Sequence, residues 1–123
     1  MTDRYADEPD LDEPENTGPD WQNMVYEVFD PEHTLGVACD RDGQVIGLHI
    51  TDEARENGDA WLCTEIVRLA RLAHLKSRVG LRAEMAHKGT RSFTIDSFDL
   101  PTEASYRATE AAEFTDRVRT FRN

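Results

Sequence analysis

The chain has 123 residues, 38% of them hydrophobic and 32% charged, with a formal net charge of −11. That length suits one domain with a small core, for which extra burial through oligomerisation is a natural route to stability. The negative field disfavours general binding to phosphate backbones, which depends on Lys and Arg displacing counterions.

The charge is unevenly spread. Residues 1–20 carry eight acids against Arg4, whereas the remainder is only mildly acidic. Pro9, Pro14 and Pro19 punctuate the same stretch. Prolines break helices and mutually repelling carboxylates extend a chain, so 1–20 reads as a disordered acidic tail and 21–123 as a single domain. The tail either solubilises the domain or serves as an arm for a basic partner. No basic region followed by an apolar run opens the chain, and no apolar stretch approaches the roughly 20 residues of a membrane helix. The expectation is a cytoplasmic protein without membrane insertion.

Met24–Phe29 is rich in β-formers and is stopped by Asp30-Pro31. Thr34–Cys39 and Gln44–Ile50 flank Asp42-Gly43, a hairpin turn in which Gly accepts positive φ. The more apolar set on the second of these strands is Ile46, Leu48 and Ile50, which predicts that face to be buried. Gly36 and Gly47 are small mid-strand positions that leave room for a helix or a second subunit. The first strand completes a three-stranded antiparallel meander.

Thr51 or Asp52 caps a short helical turn ending at Asn57-Gly58, and Asp59 is the predicted N-cap of a long helix. Leu62, Ile66, Leu69, Ala70 and Ala73 form one stripe of that helix, and Trp61, Leu72, Leu75 and Val79 an adjoining one. This apolar surface is wider than one sheet face requires, so a dimer partner or the C-terminal segment should cover the rest. Gly80 marks a bend or an end. Between Ala60 and Lys88 the helix carries Arg68, Arg71, Lys76, Arg78, Arg82 and Lys88 against Glu65 and Glu84. This locally basic face is a solvated surface, a dock for an acidic segment or a nucleic-acid face. Ser92–Asp96 alternates like a short strand, and Thr102 caps a C-terminal helix with Ala111, Phe114, Val118 and Phe121 on one stripe. The fold class expected is α+β: meander, long helix, C-terminal helix.

The chemistry-bearing residues form no catalytic pattern. Cys39 and Cys63 make no CxxC pair and read as buried reduced thiols. His33, His49, His74 and His87 lack metal-ligand spacing, and no nucleophile elbow, P-loop or dinucleotide fingerprint occurs. No enzyme activity, cofactor or metal is expected.

The strand–turn–strand–helix run resembles the YbaB/EbfC superfamily, through Leu35–Asp42, Gly43, Val45–Ile50, Thr51-Asp52-Glu53-Ala54 and Leu62–Lys76. It is more closely similar to the EspD/EspH-like group of type VII secretion-associated proteins. There the matching steps are an acidic N-terminal stretch, Asp42-Gly43-Gln44-Val45, Thr51-Asp52-Glu53-Ala54, Leu62-Cys63-Thr64-Glu65-Ile66 and Leu100-Pro101-Thr102. The resemblance covers about 24–115 and implies a non-enzymatic, chaperone-like accessory that binds or stabilises a protein partner or secreted substrate, working as a homodimer. The interaction residues expected are Gly36, Gly47, Trp61, Leu72, Leu75, Val79, Phe114 and Phe121. The alternative is a YbaB/EbfC-type nucleoid-associated DNA-binding dimer using Arg68, Arg71, Lys76, Arg78 and Arg82. Type VII substrates often carry Y-x-x-x-[DE], and Tyr106–Glu110 and Tyr26–Asp30 fit those letters. The alternative localisation is therefore secretion through such a system, although so acidic a composition yields matches of this kind by chance.

Overall fold

A computed structural model describes residues 18–121, the side chains of 116–121 excepted. Of the acidic tail, 1–17 lies outside the described residues. A single 3₁₀ turn, Trp21–Asn23, leads into β1 (Tyr26–Phe29), β2 (Leu35–Cys39) and β3 (Val45–Ile50). Helices α1 (Asp52–Arg55), α2 (Asp59–His87), α3 (Ser92–Ser97) and α4 (Glu103–Phe121) follow. The architecture is α+β, with a three-stranded antiparallel sheet in the order β1-β2-β3.

Side chains set each turn. The buried Asp30 carboxylate accepts the Thr34 N–H at 2.7 Å and the Leu35 N–H at 3.1 Å, and the Thr34 hydroxyl at 2.7 Å. It thereby satisfies the backbone donors that the β1–β2 turn would otherwise bury unpaired. Thr34 in turn accepts the Thr51 N–H and hydroxyl through its carbonyl, tying the start of β2 to the start of α1. In the β2–β3 turn the Asp40 carboxylate accepts the Asp42 and Gln44 N–H groups at 3.0 Å, and Gly43 takes φ 86°. Thr51 caps α1 through the Ala54 N–H, and Thr102 caps α4 through the Ser105 N–H, both as the sequence predicts.

The core lies between α2 and the inner sheet face. Val28, Leu35, Val37 and Cys39 meet Leu69, Leu72 and Ala73, with Ala54 and Tyr106 closing the ends. Helix α2 runs unbroken for 29 residues, and the buried positions Glu65, Leu69, Leu72, Ala73, Ser77, Gly80 and Glu84 keep a helical period. Gly80 does not end it. A Cβ there would overlap the Tyr26 ring, so Gly80 is the point at which β1 approaches the helix. The helix begins at the predicted cap itself: Asp59 is its first residue, and the N-cap is Gly58, one residue earlier, at φ 92°.

Two further expectations are corrected. Ser92–Asp96 lies in helix α3, not in a strand. A lone strand here would leave its amides unpaired, whereas a helical turn satisfies them locally and turns Ile95 inward beneath α2. On α4, Ala111 is exposed and Tyr106 is the buried residue, with Phe114 half-buried; the side chains of Val118 and Phe121 lie outside the described residues.

The third correction concerns β3. Its apolar face was expected inside, yet Val45, Ile46 and Leu48 are 51%, 55% and 54% exposed, and only Ile50 packs against the core. The cause is geometric. A helix is about 10 Å across with its side chains, and strands repeat every 4.8 Å or so, so one helix covers about two strands. Here α2 lies on β1 and β2, and α4 packs on α2. Among the described residues no helix covers the third strand.

Candidate interaction surface

The residues singled out from sequence for partner binding mostly serve the protomer itself. Leu72 is 1% exposed, and Trp61, Leu75, Val79 and Phe114 are half-buried against the core cluster. The stripe of α2 read as surplus is thus packed within the protomer, and the C-terminal helix, one of the two expected covers, lies on α2. The space above Gly36 is filled by the Phe29 ring, which would meet a Cβ at 2.5 Å. That ring reaches across the sheet toward His49, with centroids 5.8 Å apart. Gly47 is open, with only the Ala38 methyl within reach of a Cβ, at 3.8 Å. Phe121's side chain lies outside the described residues.

The basic residues of α2 are largely committed to internal partners. Arg68 pairs with Glu65 at 3.3 Å and Glu113 at 3.0 Å, and also donates to the Glu113 carbonyl, joining α2 to α4. Lys76 donates to the Glu27 carbonyl at 2.9 Å and Arg78 to the Arg41 carbonyl at 3.1 Å. Arg82 pairs with Asp96 and donates to the Leu100 carbonyl, fastening α3. Arg71 is exposed beside a hollow of about 410 Å³ lined by Cys63, Thr64, Val67, Arg68, Arg71 and Glu113. Within that hollow Arg68 and Glu113 neutralise each other. A nucleic-acid face needs lysines and arginines whose donors point to solvent, and most of these hold carbonyls or carboxylates of their own chain.

A second ionic cluster clamps the hairpin onto the helix. Arg41, in the β2–β3 turn, grips the buried Glu84 carboxylate with two hydrogen bonds, 2.9 Å from Nε and 2.6 Å from Nη2. Lys88 adds a third at 2.6 Å. The Arg41 hydrogen bonds, opposed in part by burial and reinforced by Lys88, hold the Glu84 carboxyl down at about 2. Glu84 also raises the Tyr26 hydroxyl, after the larger effect of burial. Such perturbed carboxylates occur in catalytic sites, but here every partner is a fixed cation or the fold itself, and the product is a strut.

Cys39 is buried, as predicted, and its thiol is pushed up by burial and by Asp40. Cys63 is exposed instead of buried, because α2 turns it to the flank of the hollow. Both are free. The two Y-x-x-x-[DE] tyrosines are also internal. Tyr106 is buried and donates its hydroxyl to Glu110 at 3.3 Å, and Tyr26 is buried against Gly80. Burial is the first cause of the raised Tyr106 hydroxyl, and Glu110 adds to it.

What remains on the surface is an apolar strip that sequence reasoning placed inside. Val45, Ile46 and Leu48 on β3 are exposed together, whereas Val67, also exposed, lies apart from them in the wall of the hollow with Arg71 and Glu113. The signal was present in the count of strands per helix: three strands and one covering helix leave a strand over. Phe93 and Phe98 are exposed separately, on and after the short α3. Among the described residues no group of His, Cys, Asp and Glu is placed to hold a metal ion, and no helix is long and apolar enough to cross a membrane. No protein-family model matches the chain, and neither does any curated protein or solved structure.

Proposed function

We propose that this chain is a non-enzymatic accessory of type VII secretion that binds or stabilises a protein partner or secreted substrate, in the manner of a chaperone. The observation that carries the binding part is the apolar strip of Val45, Ile46 and Leu48 along β3, on an otherwise heavily charged surface. Roughly half of three aliphatic side chains on one strand leaves about 200 Å² of apolar surface in a continuous row, where scattered single residues would need no partner. The place of action rests on the order of motif steps from the acidic stretch through Asp42-Gly43, Thr51-Asp52-Glu53-Ala54 and Leu62–Ile66 to Leu100-Pro101-Thr102. The engagement of Arg68, Lys76, Arg78 and Arg82 within the protomer favours a protein partner over DNA.

Affinity capture from the source cells tests the reading, with wild-type chain and Leu48→Lys side by side. Leu48 is half exposed, so the substitution leaves the core intact while placing a charge in the strip. The expected result is a type VII component or substrate recovered by the wild type and lost with the variant. Recovery of no protein of that class refutes the secretion role. Equal recovery by both chains refutes the strip as the surface.

A further inference from the structure

Strand β3 is an open sheet edge whose backbone is aimed at whatever lies beside it. Thr51 donates its N–H to the Thr34 carbonyl, and from there Gly36 opposes His49, Val37 opposes Leu48 and Ala38 opposes Gly47. Antiparallel ladders alternate, so Gly47 and His49 turn their backbone groups to β2, and Leu48 and Ile50 turn theirs outward. Ile46 is the extra residue of the bulge opposite Ala38/Cys39, which leaves 47–50 as the regular stretch. That stretch holds no acid, lysine, arginine or proline, the usual devices that keep an edge strand from pairing. The opposite edge is guarded: β1 is four residues long, runs into Asp30-Pro31, and has the Glu27 carbonyl taken by Lys76. The sheet also shows how it covers a strand glycine. Phe29 opposes Gly36 next to the bond from the Asp30 N–H to the Leu35 carbonyl, a non-hydrogen-bonded pair, and its ring lies over the glycine. Gly47 holds the equivalent position toward the open side, where a Cβ would meet only the Ala38 methyl. Exposed acids bracket the strand: Asp42 before it, and Asp52, Glu53, Glu56 and Asp59 after it, with Arg55 alone to offset them.

We infer that β3 takes up an extended segment of a different protein as a fourth, antiparallel strand, and that this segment reads basic, any, apolar, any, apolar, aromatic. This deepens the interaction surface proposed above and rests on that reading of the strip. The two apolar residues stand opposite Ile50 and Leu48 and exchange hydrogen bonds with their outward backbone groups. Leu48 shares the sheet face of the buried Val37, so these two side chains extend the apolar row on the helix side. The next residue stands opposite Gly47 on the other face. An aromatic ring there fills the space above the glycine as Phe29 does above Gly36. An antiparallel segment begins beside the end of β3, so the residues ahead of its apolar pair pass Asp52 and Glu53, and basic ones are favoured there. Main-chain hydrogen bonds then supply affinity and the alternate side chains selectivity, as in strand addition generally. A second copy does not meet these terms. Its own β3 is bracketed by the same acids, which an antiparallel pairing would set against each other. Residues 1–20, with eight acids, carry the same wrong sign.

Fluorescence anisotropy on the full chain is the test, with a labelled peptide reading lysine-arginine-threonine-isoleucine-threonine-valine-tyrosine. Methylating the valine nitrogen removes the donor that faces Leu48 and keeps every side chain, so binding should weaken about 10-fold or more. Methylating the nitrogen of the second threonine, which points away from β3, should cost far less. Glutamates in place of the lysine and arginine should weaken binding about 10-fold at low salt, and by less at about 0.5 M salt. Alanine in place of the tyrosine should weaken it about 5-fold. No binding at about 500 µM chain, or equal binding of the two methylated peptides, overturns strand addition. A wild-type dimer that Leu48→Lys reduces to the 14.0 kDa monomer assigns the edge to a second copy and overturns it as well. Circular dichroism checks that this variant folds, and the methylated peptides need no variant at all. If strand addition fails while partner capture is still lost with Leu48→Lys, the strip remains the binding surface and only the mode of binding falls. If the peptides bind as expected while capture recovers no type VII protein, the secretion role falls and strand addition stands.

Discussion

Replacing Glu84 with Gln should destabilise the protein in a pH-dependent way. Glutamine keeps the volume but loses the charge that Arg41 and Lys88 grip at 2.6–2.9 Å. A carboxyl held at about 2 instead of 4.5 corresponds to about 3 kcal/mol of preference for the charged folded form. Arg41 and Lys88 are themselves partly in water, which screens the interaction, so the expected loss at pH 7 is on the order of 1–3 kcal/mol. The sign follows from the depressed folded value. The contribution is complete above the unfolded value near 4.5 and disappears as pH falls toward 2. Urea unfolding of wild type and Glu84→Gln at a series of pH values from 7 to 2.5 measures it, the difference between them cancelling the other carboxylates. The gap should be widest at neutral pH and shrink steadily below pH 4.5. A gap that is equally large at pH 7 and pH 3, or smaller than about 0.3 kcal/mol throughout, would show that the Arg41 clamp does not stabilise the fold.

Gly80→Ala should also destabilise, against helix propensity. Alanine favours the helix by about 1 kcal/mol, but its methyl would overlap the rigid Tyr26 ring, and overpacking of that kind costs about 1–3 kcal/mol or more, so thermal unfolding should occur at a lower temperature than in wild type. The cysteines should separate kinetically. Cys63 should react with a thiol reagent such as DTNB in the native protein, whereas Cys39, fully buried beneath α2 with a raised pKa, should react only on unfolding. Native protein in which both thiols react at the same rate would contradict the packing of β2 against the helix.

The sheet and its helices were legible because local chemistry agrees with the final fold. Asp42-Gly43 demanded a tight turn, Asp30-Pro31 stopped a strand, and Thr51 and Thr102 capped the helices they precede. Sequence periodicity also found α2, but it could not find where α2 lies across the sheet. That placement decided the candidate site. Leu72, Leu75 and Val79 had the look of surplus surface and are packed against the protomer's own core, whereas Ile46 and Leu48 had the look of core and are exposed. Both reversals are tertiary: the amphipathic pattern says that a face is buried against something, and not by which element. The misread Ser92–Asp96 has a similar origin, since alternation means a strand only where a sheet edge lies within reach. The arginines of α2 were visible as a basic face, but their partners are Glu113, Asp96 and backbone carbonyls far along the chain, which no local pattern reveals.

Amide hydrogen exchange at β3 tests the interaction surface most directly, because it needs no variant. The N–H groups of Leu48 and Ile50 face away from β2, while those of Gly47 and His49 are held by it. If a partner segment adds to β3, Leu48 and Ile50 should exchange like open-edge amides in the chain alone, and be protected nearly as strongly as Gly47 and His49 once the basic-apolar peptide is bound. Leu48 and Ile50 amides that exchange like open-edge amides even with that peptide at saturation, beside a protected Gly47 and His49, would contradict the pairing.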